Sequence, residues 1–137
     1  MSSATPEDVS AICLSLPETE LGVSWGDRPT YKVPKGEKGK GFLLHRAPHR
    51  TAVDPATGEE YDDLLVIKTP TVEVKEELVA DENTPFFTID HFNNYKAVLV
   101  QQSRLGEISV EELREIITDA WLATAPKSLV RKFLADG

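Results

Sequence analysis

The strand pattern of this chain is clearest at residues 30–45, TYKVPKGEKGKGFLLH. Thr30–Val33 and Gly41–His45 are short runs rich in β-branched, aromatic and leucine residues, whereas residues 34–40 carry proline, glycine and charge. Two apolar runs separated by residues of this kind favour a pair of strands joined by an exposed turn. The sequence therefore predicts a β-hairpin with its tip at residues 34–40.

Further apolar runs of strand length lie along the rest of the chain. Residues 64–67 and 97–100 are compact runs of leucine, valine, isoleucine and alanine, and residues 86–89 form a shorter run. Runs of this length and composition are typical of strands. We therefore expect a sheet that extends beyond the hairpin.

An amphipathic helix is predicted ahead of these strands. Thr5 is a good N-cap, Pro6 suits the first helical position, and apolar residues then recur at helical spacing up to Leu16. Cys13 lies on the apolar side of this helix, where a thiol behaves as a small hydrophobic group. The helix should cover a core with that side.

Helices are also predicted in the centre and at the end of the chain. Thr71 or Thr69 can cap a helix over roughly 71–80. Ser109 and the glutamate three residues later form a capping box ahead of apolar residues spaced by three and four, which predicts a helix over 109–124 that buries Trp121. The amphipathic pattern continues after a proline towards the C-terminus.

This order of elements predicts an α+β fold. We expect a single domain over residues 1–137, with a mainly antiparallel sheet and N-terminal, central and C-terminal helices that cover one face. A chain of 137 residues is long enough for one core. The N-terminus lacks the features of a signal peptide and no apolar run has the length of a membrane helix, so we expect a cytoplasmic protein with no membrane partner.

The charges are distributed unevenly. The net charge is −8, yet residues 26–50 contain seven basic and two acidic residues, and residues 54–63 contain five acidic residues and no basic one. An acidic chain repels phosphate backbones, so a nucleic-acid-binding role requires a local basic patch. The segment 26–50 is the candidate.

Two interpretations of the basic segment are possible. If the hairpin projects from the domain, its cations could contact the phosphates of duplex DNA without recognising sequence. The residues expected to do so are Lys35, Lys38 and Lys40 at the tip, with Arg28, Lys32, Arg46 and Arg50 along the base. Alternatively, the lysines provide solubility and protect a sheet edge, while the acidic segment that follows neutralises their field.

Candidates for catalysis or metal binding are weak. A single cysteine excludes an internal disulfide and a multi-cysteine zinc site. His45 and His49 have a spacing that aligns two ligands only on a helix, and His91 stands without an evident partner. The glycine-rich hairpin tip lacks the Walker pattern and a following helix. We therefore expect a protein that is not an enzyme and has no cofactor or metal.

Several stretches together resemble the MmcQ/YjbR family, small bacterial proteins often named as DNA-binding. The stretches are 22–31 (GVSWGDRPTY), 65–68 (LVIK), 86–88 (FFT) with His91, 98–100 (VLV), and 112–127 from Glu-Leu through Ala-Trp to Ala-Pro-Lys. They cover most of the chain in the expected order.

The resemblance implies an α+β fold in a double-wing arrangement, similar in outline to frataxin-like domains, and a DNA-binding role. It implies no catalytic residues. Family-matching residues also suggest an alternative, in which a small ligand or a protein partner binds a cleft near Trp25, Arg28, Lys68 and His91. A pocket lined by these four side chains would favour that alternative.

Overall fold

An antiparallel sheet forms the centre of the fold. The computed structural model describes residues 3–24, 28–37, 39–46, 53–89 and 95–136, apart from the side chains of Ser24, Arg28 and Asp136. Within these residues five strands pair in chain order: β1 (Glu20–Ser24), β2 (Arg28–Val33), β3 (Lys40–His45), β4 (Leu64–Lys68) and β5 (Ala97–Gln101). Every neighbouring pair is antiparallel, which confirms the predicted type of sheet.

Four α-helices accompany the strands in the described residues. They are α1 (Pro6–Ser15), α2 (Val72–Ala80), α3 (Val110–Thr124) and α4 (Lys127–Asp136), and a 3₁₀ helix, Gln102–Glu107, follows β5. The predicted caps are present, because the hydroxyls of Thr5, Thr71 and Ser109 each accept a hydrogen bond from an amide in the first turn of the helix that follows. These bonds satisfy amides that the helix itself leaves unpaired. The α+β fold with N-terminal, central and C-terminal helices is therefore confirmed.

One face of the sheet packs against α1 and α3. Cys13 of α1 and Ile117 and Trp121 of α3 are completely buried there. The indole Nε1 of Trp121 donates a hydrogen bond to the carbonyl oxygen of Pro17 at 3.1 Å, and its ring centroid lies 4.9 Å from that of Phe133 in α4. The core positions predicted for Cys13 and Trp121 are confirmed.

The opposite face carries a second, smaller apolar cluster. Its buried members are Leu44, Leu64, Val66, Ala97 and Leu99, and the side chains of Tyr61, Phe87 and Ile89 pack on them. The expectation that the sheet is covered on one face only is therefore wrong. Residues 86–89, predicted as a strand, instead make a single bridge at the free edge of β5, in which Phe87 and Leu99 exchange backbone hydrogen bonds of 2.9 Å. Phe86 packs in the cluster on the helix side, whereas Phe87 and Ile89 pack on the second cluster.

The predicted hairpin is formed by β2 and β3, with an irregularity in the pairing between Tyr31 and Lys32. At the tip Gly36 has φ +97°, a left-handed conformation that glycine adopts without strain. Its amide donates to the Glu20 carboxylate at 2.7 Å, so β1 anchors the tip. Strand β1 was not among the predicted strands, and Leu21 and Val23 on it are 54% and 57% exposed.

The described helices give no candidate for a transmembrane segment, because each is too short or too polar to cross a bilayer.

Candidate functional site

Lysines from four consecutive strand ends meet at one end of the sheet. Lys32 lies opposite Gly41, Lys40 lies opposite Val33, and Lys68 lies opposite Ala97. Lys96 directly precedes β5, and its carbonyl oxygen accepts a hydrogen bond from the amide of Thr69 at 2.9 Å. We call Lys32, Lys40, Lys68 and Lys96 the lysine row.

Two adjacent clefts open along the lysine row, and Lys68 lines both. The hairpin cleft, about 260 Å³ in volume, is lined by Thr30, Lys32, Gly39, Gly41, Leu44, Val66, Lys68 and Tyr95. The helix-end cleft, about 340 Å³ in volume, is lined by Lys40, Lys68, Thr69, Pro70, Lys96, Ala123 and Thr124. Because α3 ends at Thr124, the second cleft lies between the end of that helix and the end of the sheet.

Within the lysine row, the environment of Lys68 disfavours its charge. Partial burial lowers the pKa of the Lys68 ammonium, and the positive charge of Lys40 lowers that pKa further. Both effects disfavour the charged form of Lys68. An anion between these side chains would reverse the second effect, so the row is electrostatically suited to a negatively charged ligand.

No described carboxylate forms an ion pair with a lysine of the row. The ion pair found within the described ranges joins Arg104 to Glu107 at 2.6 Å, in the 3₁₀ helix. Glu20 lies opposite Lys32 in the pairing of β1 with β2, but its carboxylate accepts a hydrogen bond from the tip amide of Gly36 and forms no ion pair with Lys32. The positive charges of the row are therefore not paired off within the part of the chain that the structure describes.

The acidic segment 54–63 is attached to the other end of the sheet. Asp63 accepts hydrogen bonds from the amides of Gln102 and Ser103, and it directly precedes Leu64, the first residue of β4. Lys68 is the last residue of that strand, about 13 Å from Leu64 at 3.3 Å per residue. In its described part, the segment therefore does not lie across the hairpin lysines, as the neutralising interpretation requires.

The structure separates the residues predicted to bind nucleic acid. Lys32 and Lys40 belong to the lysine row, and Lys35 is exposed at the neighbouring hairpin tip. The backbone of Arg28 and that of Arg46 lie at the opposite end of the sheet, where the Arg46 amide donates to the carbonyl of Leu64 at 2.9 Å.

Arg46 is also poorly placed to contact a phosphate. The residue is only 7% exposed, and burial lowers the pKa of its guanidinium. This burial argues against a phosphate contact, and the role of Arg46 in DNA binding stays a prediction. Lys38 and Arg50 lie outside the described residues.

The predicted ligand cleft lies largely outside the described residues and stays a prediction. Trp25 and His91 lie outside the described residues. The backbone of Arg28 pairs with Ser24 at one end of the sheet, whereas Lys68 lies at the other end. Lys68 does line clefts, but its described neighbours there are other lysines, threonines and the hairpin.

The cysteine and histidines considered for catalysis or metal binding have no catalytic or metal-binding arrangement within the described residues. Cys13 is completely buried, and desolvation raises the pKa of its thiol to about 12. The Nδ1 atom of His45 lies 3.2 Å from the carbonyl oxygen of Pro29, and His49 is outside the described residues. Among the side chains that the structure describes, no group of three or more histidines, cysteines or acids is placed to hold a metal ion.

Lys96 and the helix-end cleft were missed by the sequence analysis. Lys68 ends one strand and Lys96 precedes the next, and antiparallel pairing of consecutive strands brings such positions together. That signal required 64–67 and 97–100 to be recognised as neighbouring antiparallel strands, whereas the sequence analysis predicted them only as strands. The contribution of α3 to the cleft could not be deduced in this way, since it depends on how the helix packs on the sheet.

Comparison with known proteins gives a consistent result. The family model YjbR matches residues 14–123. Uncharacterized proteins of Mycobacterium tuberculosis and Mycobacterium bovis are 38% identical over 133 residues, which covers 97% of this chain and 98% of theirs. A crystal structure of a Deinococcus radiodurans protein with the DUF419 domain has a TM-score of 0.58 at 22% identity, over 86% of this chain and 76% of that one. At that identity the structural likeness concerns the fold.

Proposed function

The chain belongs to the YjbR family, and from this membership we propose that it binds duplex DNA through phosphate contacts and catalyses no reaction. The resemblance to the MmcQ/YjbR family implies a DNA-binding role. The observation that carries the proposal is the lysine row, which lies beside the exposed hairpin tip and has no carboxylate partner among the described residues.

The dimensions of the lysine row suit a duplex. Its lysines come from the ends of four neighbouring strands. Three spacings of about 4.8 Å give a span of about 14 Å, which is comparable to the width of the DNA major groove, about 12 Å. Lysines at the two ends of the row can therefore contact phosphates on opposite sides of a groove. Such contacts position a duplex without recognising its sequence.

The negative net charge does not prevent this binding. A charge of −8 opposes the approach of DNA at long range. At 0.1 M salt, however, the Debye length is about 10 Å, and the acidic segment is attached at the far end of β4 from Lys68. Screening therefore reduces the repulsion more than it reduces a direct contact between ammonium and phosphate.

The proposed interface differs from the set predicted from sequence. It keeps Lys32, Lys35 and Lys40, adds Lys68 and Lys96, and omits the buried Arg46. The parts of Arg28, Lys38 and Arg50 in DNA binding stay predictions.

Salt dependence gives the sharpest test. Five phosphate contacts, one for each lysine of this interface, predict a slope of about −4.5 for log affinity against log salt, and thus about 500-fold weaker binding at 200 mM than at 50 mM salt. Fluorescence anisotropy with a labelled duplex measures this slope. The double variant Lys35→Gln/Lys40→Gln should weaken binding at least tenfold at 50 mM salt, and should make the slope less steep by about 1.8.

Arg114→Gln is the control, because it removes one positive charge, against two in the double variant, from an exposed position near the start of α3. Thr124 and the helix-end cleft lie ten residues further on, about 15 Å at 1.5 Å per residue. No binding at tens of micromolar protein would remove the proposal. An equal loss of log affinity for each removed charge in the control and in the double variant would also remove it, since the effect would then be one of net charge alone.

A further inference from the structure

We propose that the helix-end cleft is a binding site for a phosphate monoester dianion, which Lys40, Lys68 and Lys96 hold by charge. The site is local and does not depend on DNA binding, since a free phosphate group would occupy it even if a duplex did not bind the row. Its residues come from β3, β4, the start of β5 and the end of α3.

The shape of the cleft sets the size of the ligand. Its volume of about 340 Å³ lies near the lower end of the range for small-molecule sites, about 300 to 1,000 Å³. A phosphate group with a small organic substituent fits such a volume.

The charges of the cleft set the charge of the ligand. Three lysines line it, and no carboxylate does. The end of α3 contributes a partial negative charge of roughly half a unit, which is small beside three ammonium groups. A phosphate monoester carries close to two negative charges at pH 7. It therefore compensates more of the cluster than a carboxylate or a phosphodiester, each with a single negative charge.

Lys68 gains most from such a ligand. Its partial burial and the positive charge of Lys40 both lower the pKa of its ammonium. No carboxylate among the described residues forms an ion pair with it. A dianion between Lys68 and Lys40 replaces repulsion by attraction on both sides. The free protein is therefore held in an electrostatically unfavourable arrangement that binding relieves.

The threonines of the cleft do not add donors. The hydroxyl of Thr69 donates to the carbonyl of Thr71 at 3.1 Å, and the hydroxyl of Thr124 donates to the carbonyl of Ala120 at 2.9 Å. Recognition therefore rests on the flexible ammonium groups, which bind phosphate as point charges. We expect the site to select for charge more than for the organic part of the ligand.

The test is a titration of the full chain with inorganic phosphate at constant ionic strength, which is set with sodium chloride. Amide chemical shifts in NMR spectra measure the binding. We expect saturable shifts at Thr69, Ala123 and Thr124, with a dissociation constant in the millimolar range. Lys96→Gln and Lys68→Met should each weaken binding at least fivefold. Lys35→Gln, at the exposed hairpin tip, should change it less than twofold. Lys96 is exposed, so its variant keeps the test valid if Lys68→Met fails to fold.

Two further ligands identify the source of the phosphate. Thymidine 5′-monophosphate should bind at least fivefold more tightly than the diester of two thymidines. A duplex with 5′-phosphate ends that binds more tightly than one with 5′-hydroxyl ends supports a DNA terminus as the occupant. Equal duplex affinities, together with saturable binding of the monophosphate, support a small phosphorylated molecule.

The proposal is overturned if the shifts rise linearly with phosphate, or if both cleft variants bind phosphate as the unaltered protein does. A loss in Lys35→Gln equal to that in Lys96→Gln also overturns it. These results are distinguishable from a failure of DNA binding. Lys35→Gln should weaken the binding of DNA but leave the binding of phosphate within twofold.

Discussion

Replacing Gly41 by alanine should create a steric conflict that a second substitution removes. A Cβ atom at Gly41 would lie 2.7 Å from the Cγ2 methyl of Thr30 on the neighbouring strand, whereas the next contact, with Leu44, is an ordinary 3.7 Å. Overpacking of this kind costs about 1–3 kcal/mol, against a gain of about 0.5–1 kcal/mol from replacing a strand glycine. Gly41→Ala should therefore destabilise the fold by up to about 2 kcal/mol.

Thr30→Ser removes the conflicting methyl and retains the hydroxyl. Alone it should cost about 0.8 kcal/mol, because Thr30 is 1% exposed and loses one buried methyl group. In the double variant the conflict is absent, so the coupling free energy should be about −1 to −3 kcal/mol.

Urea unfolding of the unaltered protein, the two single variants and the double variant measures this cycle. A coupling within about 0.5 kcal/mol of zero is what independent sites give. That result would refute the close approach of β2 and β3 at the floor of the hairpin cleft.

Three further predictions concern buried and partly buried groups. Trp121→Phe should destabilise the fold by about 2–4 kcal/mol in urea unfolding, because it leaves the Pro17 carbonyl without its indole donor and creates a cavity; a loss below about 0.5 kcal/mol would contradict this. Cys13 should react with a disulfide reagent at pH 8 only as fast as the protein opens, because its pKa is about 12 and it is fully buried; rapid labelling of the folded protein would contradict the assignment. Lys68→Met should raise stability at pH 7 in phosphate-free buffer. The pKa of Lys68 is lowered in the folded state, so the charged ammonium costs the fold free energy; that cost is full below the lowered pKa and vanishes as pH rises above the ordinary lysine value of about 10.4. Urea unfolding should therefore show a smaller stability difference between the two proteins at pH 10.5 than at pH 7. An equal difference at both pH values would contradict the reasoning.

Local signals in the sequence were sufficient for the helices and the hairpin. The N-caps at Thr5 and Ser109 and the apolar spacing that follows them depend on residues three or four apart, so they can be recognised without the tertiary structure. The same holds for the core positions of Cys13 and Trp121, which follow from helical periodicity.

The failures have a different origin. Strand β1 is short, and Leu21 and Val23 on it are mostly exposed, so its pattern lacks the compact apolar run of a buried strand. Residues 86–89 are apolar because Phe86 packs in the helix-side core and Phe87 and Ile89 pack on the second face, and this pattern does not distinguish a segment with a single bridge from a full strand.

The site was harder to predict than the fold. Its predicted basic residues belong to one segment of the sequence, but two residues of the same hairpin can lie at opposite ends of a sheet, as Lys32 and Arg46 do. Residues far apart in sequence, such as Lys40 and Lys96, line one cleft through the pairing of β3, β4 and β5 and the packing of α3. Charge counted along the chain therefore indicated a basic patch but not its members.

Strand registration ties this patch to the interior of the protein. Lys68 follows Val66 on the second face of the sheet, while Leu65 and Ile67 point to the helices. A slip of one residue in β4 would turn Lys68 towards the helices and move Leu65 and Ile67 from the helix layer to the second face. A substitution can change a single ammonium group, but transfer of the patch to another scaffold requires the same alignment of the strands.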